Sequence, residues 1–285
     1  MKLRHLFLSA AVAFAALPTP AFAWGKTGHR VVAKIADSQL SGLARAHIRE
    51  LIGVESLDEA STWPDEMRSD PAPFWQKTST PWHYVTLNGL IYDHAPSEGD
   101  ALEAIERFRA VLMDPKASRA DKQLALRFII HLVGDLHQPL HVGKCCDRGG
   151  NEVKVRYFGK ESNLHAIWDS ALVDDQQLSF TEYAERLERH ISPQDVIDWW
   201  TVRPKDWIAE SARIRETVYP DVPPPPPPAS SGEATPAPLP DLSYAYVYKF
   251  TPVVNQRLSQ AGVRLAAYLN ALFGHPQPLA KSEGK

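Results

Sequence analysis

Apolar residues recur every three to four positions over 29–40, 42–52, 102–113, 122–140, 181–190, 204–219 and 252–273. That spacing lines one face of a helix. One segment has a different rhythm. Behind Gly149-Gly150, the residues Val153, Val155 and Tyr157 alternate with polar ones, which predicts a strand and half of a small hairpin closed near Phe158-Gly159. The pattern predicts an all-α fold, a single mainly helical domain over 24–285 with a small β-hairpin. Roughly 260 residues suffice to bury one sizeable core. Between 220 and 240 a tract with six consecutive prolines from Pro223 interrupts the pattern. Such a tract favours extended polyproline II and reads as a surface loop or spacer. After it, Val254, Leu258, Leu265, Leu269 and Leu272 resume the helical spacing, so the last helix is expected to pack back on the same core. There is no internal repeat.

The start of the chain changes this picture. Lys2 and Arg4 precede an apolar run over 6–17 and then Ala21-Phe22-Ala23, a small-x-small cleavage site. This reads as a bacterial-type secretory signal peptide over 1–23, cleaved between Ala23 and Trp24. The run is too short to span a bilayer, and no later stretch is apolar over a membrane thickness. A periplasmic or secreted protein, not embedded in a membrane, is expected. Without 1–23 the chain holds 29 Lys and Arg against 34 Asp and Glu, a net charge of −5. That excludes a basic duplex-binding domain; any action on nucleic acid has to draw positive charge from elsewhere, and bound metal is the obvious source. The two cysteines, Cys145 and Cys146, are adjacent. Neighbouring Cα atoms lie about 3.8 Å apart, below the usual disulfide range of about 4.4 to 6.8 Å. The pair reads as two loop thiols, a strained bridge or a link to another chain, and not as a disulfide scaffold.

Candidate chemistry sits on the most apolar helix. The stretch 122–140 contains Leu124, Leu126, Phe128, Ile129, Ile130, Leu132, Val133 and Leu136, yet also His131 and Asp135. Four residues apart, these two share a face, and an unpaired carboxylate buried there costs several kcal/mol. A lone pair of this kind is most simply a hydrogen-bonded couple. This pair is not alone: the spacing recurs at His165 and Asp169, and His137 and His141 follow around Pro139. Imidazole and carboxylate together select zinc or a similar divalent ion. Asp65 in Trp63-Pro64-Asp65 and His83 in Trp82-His83-Tyr84 are weaker candidates taken singly, since a tryptophan beside a proline is commonly core and turn. Cleavage after Ala23 leaves Trp24 with a free α-amine five residues before His29. An α-amine titrates at about 7.7 to 8.0, low enough to yield its proton to a metal.

Trp24-Gly25-Lys26-Thr27-Gly28-His29, Trp63-Pro64-Asp65, Trp82-His83-Tyr84, the run from His131 through Asp135 to His141, Gly149-Gly150-Asn151 and Asn163 to Asp169 together resemble the zinc-dependent single-strand-specific nucleases, the nuclease S-one/P-one family. The resemblance implies the fold type shared with zinc-dependent phospholipases C. It also implies three Zn2+ ions: one on Asp65, His83, His131 and Asp135, a second on His141, His165 and Asp169, and a third on the amine and carbonyl of Trp24 with His29 and Asp135. Asp135 then bridges two ions, and Asp65 and Asp135 act in catalysis through the water that zinc activates. Tyr84 falls where family members place an aromatic that stacks on a base, although a buried tyrosine would read the same way. His137 has no ligand role and belongs around the site or at the surface. The implied substrates are single-stranded DNA and RNA and 3′-nucleotides, cleaved to 5′-phosphate products, with no stable protein partner implied. One departure concerns Thr86: fungal members carry an aspartate there, and a hydroxyl cannot replace it as a base. Zinc-dependent phospholipase C is the rival enzyme, disfavoured by Asp169 where glutamate would be expected. A non-catalytic zinc-binding protein is the rival of another class.

Overall fold

A computed structural model describes residues 24–221 and 238–275. The leader read over 1–23 and most of the proline tract fall outside those residues. The first half contains α1 (Lys26–Ser38), α2 (Gly42–Ile52), α3 (Leu57–Glu66), β1 (Val85–Leu87), α4 (Ala101–Met113), α5 (Arg119–Asp135) and β2 (Val142–Lys144). The second half contains β3 (Lys154–Tyr157), β4 (Lys160–Asn163), α6 (Leu164–Ala166), α7 (Leu172–Asp174), α8 (Phe180–Glu188), α9 (Pro193–Trp199), α10 (Pro204–Val218), β5 (Asp241–Leu242) and α11 (Tyr244–Phe273). The fold is mainly helical, as the periodicity predicts.

Two helices form the interior. α5 packs against α1, α3, α4 and α11, while α11 packs against α1, α2 and α5. Ile129, Ile130, Leu132 and Val133 of α5 are fully buried, each contributing about 1.5–3 kcal/mol relative to exposure. That burial offsets the cost of carrying His131 and Asp135 into the same helix. Ser118 starts α5 by accepting from the backbone N–H of Asp121, a standard N-cap.

Several boundaries differ from the periodic reading. The helix expected over 122–140 ends at Asp135, because His137 and Gln138 turn to carbonyls three residues back and Gln138 is extended before Pro139. A residue preceding proline is pushed out of the α region. The Trp63-Pro64-Asp65 segment, read as turn-like, lies at the end of α3, which a Ser56/Glu59 capping box nucleates. α11 begins at Tyr244, well before 252, with Pro252 inside it; the carbonyl deprived of a partner belongs to the exposed Tyr248. The hairpin stands where the alternation places it, with Phe158 and Gly159 both left-handed at φ 47° and 77° between β3 and β4. β5 pairs in parallel with β3, and β1 pairs in parallel with β2. Neither parallel contact is visible in the sequence.

A candidate trinuclear metal centre

α5 supplies the middle of the site. His131 and Asp135 point from its buried face, and α3, α1 and two short turns close around them. Among the described residues, three His/Asp groups have ligand atoms that all lie within 4.8 Å of one another: His29, His131 and Asp135; Asp65, His83 and His131; and His141, His165 and Asp169. Asp135 lies at the centre. Its Oδ2 is 3.2 Å from His83 Nδ1 and 3.3 Å from His131 Nε2, and its Oδ1 is 3.3 Å from His29 Nε2. His29 stacks on His131 with ring centroids 4.0 Å apart. That approach depends on Gly134, where a Cβ would stand 2.9 Å from His29 Nδ1. The Asp65 carboxylate, at the end of α3, reaches to 3.9 Å from His131 Nε2.

The last group is built on turns. His141 closes the turn Pro139–His141, and His165 and Asp169 face one another across α6 and the wide turn Ile167–Ala171, with 3.0 Å between Nε2 and Oδ2. A π-type turn of this kind is common at functional sites. Gln138 donates to Asp169 Oδ1 at 2.5 Å and accepts from the N–H of Leu140. It therefore fixes one of the three side chains of this group, a role that nothing in its local pattern announces.

The hydrogen bonding is one-sided. His131, His141 and His165 each direct Nδ1 at a backbone carbonyl, of Ser61, His83 and Gly149 respectively, at 2.6–2.7 Å. With Nδ1 committed to a carbonyl, Nε2 is the nitrogen turned toward the centre, the arrangement that orients a metal-binding imidazole. The Nε2 atoms of His141 and His165, both ring nitrogens of His29, and one oxygen each of Asp65 and Asp135 are buried without a hydrogen-bond partner. Orphaned buried polar groups are costly, and a cluster of nitrogen and oxygen acceptors facing one another is a site for cations. The residues present thus fit divalent metal ions. Burial holds the His29 and His141 imidazoles below their ordinary pKa, as a metal ligand requires. Burial also opposes a charge on His131, but the carboxylates of Asp135 and Asp65 override it and raise that group to about 9. Asp135 is held well below the carboxylate range by His131, His29 and His83 in spite of its burial.

The remaining expected residues have distinct places. Trp24 is fully buried, and the adjoining Gly25 N–H donates to the Asp169 carbonyl at 2.6 Å, so the first described residues sit against the third group. Tyr84 is 43% exposed, which removes the buried-tyrosine reading. Partial burial of its hydroxyl and the charge of Glu98 push the Tyr84 phenol up, with Arg148 and Arg68 opposing them. Thr86 is exposed on β1 opposite Gly143. His137 is fully buried rather than at the surface. Its Nδ1 donates to Val133 O, its Nε2 accepts from Arg264, and its carbonyl accepts from Arg257. Both arginines pair with Glu210, and this cluster ties the end of α5 to α10 and α11.

The family model for S1/P1 nucleases matches residues 24–274. The chain belongs to the S1/P1 nuclease family. It is 29% identical to Endonuclease 2 of Arabidopsis thaliana over 273 residues, covering 88% of this chain and 91% of that protein. It is likewise 29% identical to Nuclease S1 of Aspergillus oryzae over 291 residues, covering 92% and 96%. Nuclease P1 of Penicillium citrinum matches at 31% over 158 residues, covering 52% and 57%. Membership places the chain among hydrolases of nucleic acid. All the His and Asp residues quoted for the resemblance in the sequence, His137 apart, fall within the three groups.

Proposed function

We propose that this nuclease holds three zinc ions and cleaves single-stranded DNA and RNA to 5′-phosphate products, with 3′-nucleotidase action at the same site. The observation that carries the reading is the convergence of buried, unpartnered ring nitrogens and carboxylate oxygens on Asp135. Asp65, His83, His131 and Asp135 would hold one ion, His141, His165 and Asp169 another, and the free amine and carbonyl of Trp24 with His29 and Asp135 the third. Zinc bound there supplies Lewis acidity toward phosphate and lowers the pKa of a coordinated water toward about 7. The chain's own part is to fix geometry. Backbone carbonyls set the tautomers of His131, His141 and His165, Gln138 orients Asp169, and Asp135 spans the groups. Tyr84 offers an exposed ring beside His83 on which an unpaired base can stack, a contact worth about 1–3 kcal/mol. A base held in a duplex must first be unstacked to reach it. We read the protein as exported and cleaved after Ala23, because the amine of Trp24 is a ligand only when free. No helix of the described residues is long and apolar enough to cross a membrane.

The test is digestion of single-stranded DNA by protein beginning at Trp24, with and without a chelator, with the product ends identified. Chelator-sensitive release of 5′-phosphate ends is expected. A zinc-loaded sample that binds metal and cleaves nothing would leave a purely structural zinc centre.

A further inference from the structure

The loop joining β2 to β3 carries the two cysteines, and the site described above does not use them. Both are free and exposed. Being adjacent in the chain, the two sulfurs are tethered within reach of one another. Cys145 lines one wall of a cleft of about 440 Å³ with Leu87, Asn88, Gly89 and Lys144, which opens the sulfur to a small molecule.

The same loop supports the metal centre. Cys146 and Arg148 hold left-handed backbone at φ 79° and 53°, followed by Gly149 and Gly150 at 63° and 81°. Gly149 presents its carbonyl to His165 Nδ1 at 2.6 Å, and any Cβ there would stand 2.4 Å from the Leu140 carbonyl. The stretch from Cys146 to Gly150 is thus a tightly wound turn whose far end sets the orientation of a metal-binding histidine.

We propose that Cys145 and Cys146 form a thiol modification site that small-molecule disulfides oxidise to an eight-membered ring disulfide, and that ring closure loosens the Gly149–His165 end of the metal centre. The exchange is balanced. The Cys145 sulfur attacks one sulfur of the small disulfide and expels one thiol; the Cys146 sulfur then attacks the Cys145 sulfur of the mixed disulfide and expels the second. The protein loses two protons and two electrons, and the small disulfide takes them up as two thiols. Adjacent Cα atoms at about 3.8 Å lie below the usual span of a disulfide, so the ring closes only if the backbone at 145–146 shifts. The shift enters a turn that has no slack, three residues before Gly149.

The first readout is independent of metal and activity. The full chain is treated with oxidised glutathione and its intact mass and proteolytic peptides are measured. Loss of two hydrogens confined to the peptide bearing 145 and 146 is expected, with Cys145→Ser and Cys146→Ser each stopping at one glutathione adduct. Stable double adducts or disulfide-linked dimers of the wild type would overturn ring closure. The second readout is zinc affinity by chelator competition and rests on the zinc reading above. Affinity of one site should fall about tenfold or more on oxidation, the scale of losing a supporting contact around a metal ligand, and recover on reduction; the double serine variant should not respond. Equal affinities in the two forms, or no zinc uptake by either, would overturn the coupling, while ring closure is judged by mass alone.

Discussion

Gln138 shows how much of the centre is set by residues that bear no metal-binding signature. Its amide spans the Asp169 carboxylate and the Leu140 N–H, and it is fully buried. Gln138→Leu removes both bonds at similar volume. We expect zinc at His141, His165 and Asp169 to be bound about 10–100-fold more weakly, the usual effect of losing a residue that orients a ligand. Chelator competition on the purified variant measures this, and unchanged affinity would make Gln138 a bystander. At this scale the sequence is legible where chemistry repeats. The His131/Asp135 and His165/Asp169 pairs stand out because the same spacing occurs twice, the first time within a helix that is otherwise apolar. Gln138, and the carbonyls of Ser61, His83 and Gly149, are invisible in the sequence, because a hydrogen bond between residues far apart in the chain leaves no mark on local pattern.

At the scale of elements, the turn from Cys146 to Gly150 and the helix ends make separate predictions. Gly149→Ala puts a Cβ against the Leu140 carbonyl at a positive φ. A strained backbone of that kind costs on the order of 1–3 kcal/mol, so thermal unfolding should begin several degrees lower, with weaker zinc binding on the His165 side. An unaltered Tm would show that the turn can relax. His137 predicts a pH effect. Burial first, then the charges of Arg257 and Arg264, hold its imidazole well below the ordinary 6.5. The folded state therefore stays neutral while the unfolded chain takes up a proton. Stability from this group is present above about pH 6.5 and falls as pH drops below it, at up to about 1.4 kcal/mol per pH unit. Urea unfolding of the metal-loaded protein at pH 7.5 and 5.5 should show that fall, and His137→Asn should shrink it; the same pH slope in both proteins would assign the loss to other groups. Elements themselves were legible where apolar spacing was regular, as in α1, α2, α4 and α10. They were not where proline misled: Pro64 and Pro252 lie inside helices, while Pro139 ends one. The parallel pairing of β1 with β2 joins segments more than fifty residues apart, beyond the reach of any local rule.

Over the whole molecule, the site is assembled from the start and the middle of the chain, and on the proposed reading its first ligand is the free amine of Trp24. Trp24 is buried and Gly25 is bonded to the Asp169 carbonyl, which sets the start of the described chain against the His141, His165 and Asp169 group. Protein carrying one added residue before Trp24 should therefore bind one zinc fewer and lose most of its nuclease activity. Metal analysis of matched preparations decides this, and equal zinc content and activity would remove Trp24 from the ligand set.

The packing of α11 against α1 has a consequence for the order of folding. The last helix backs the first, and the Asn270 side chain accepts from Ser41 N–H and donates to the Gln39 carbonyl. Contacts of such long sequence separation form only after a large loop has closed. His29 rides on α1, so a growing chain holds every His and Asp of the three groups before the helix that backs α1 has been made. The contacts that hold α1 from behind are therefore among the last that a growing chain can make.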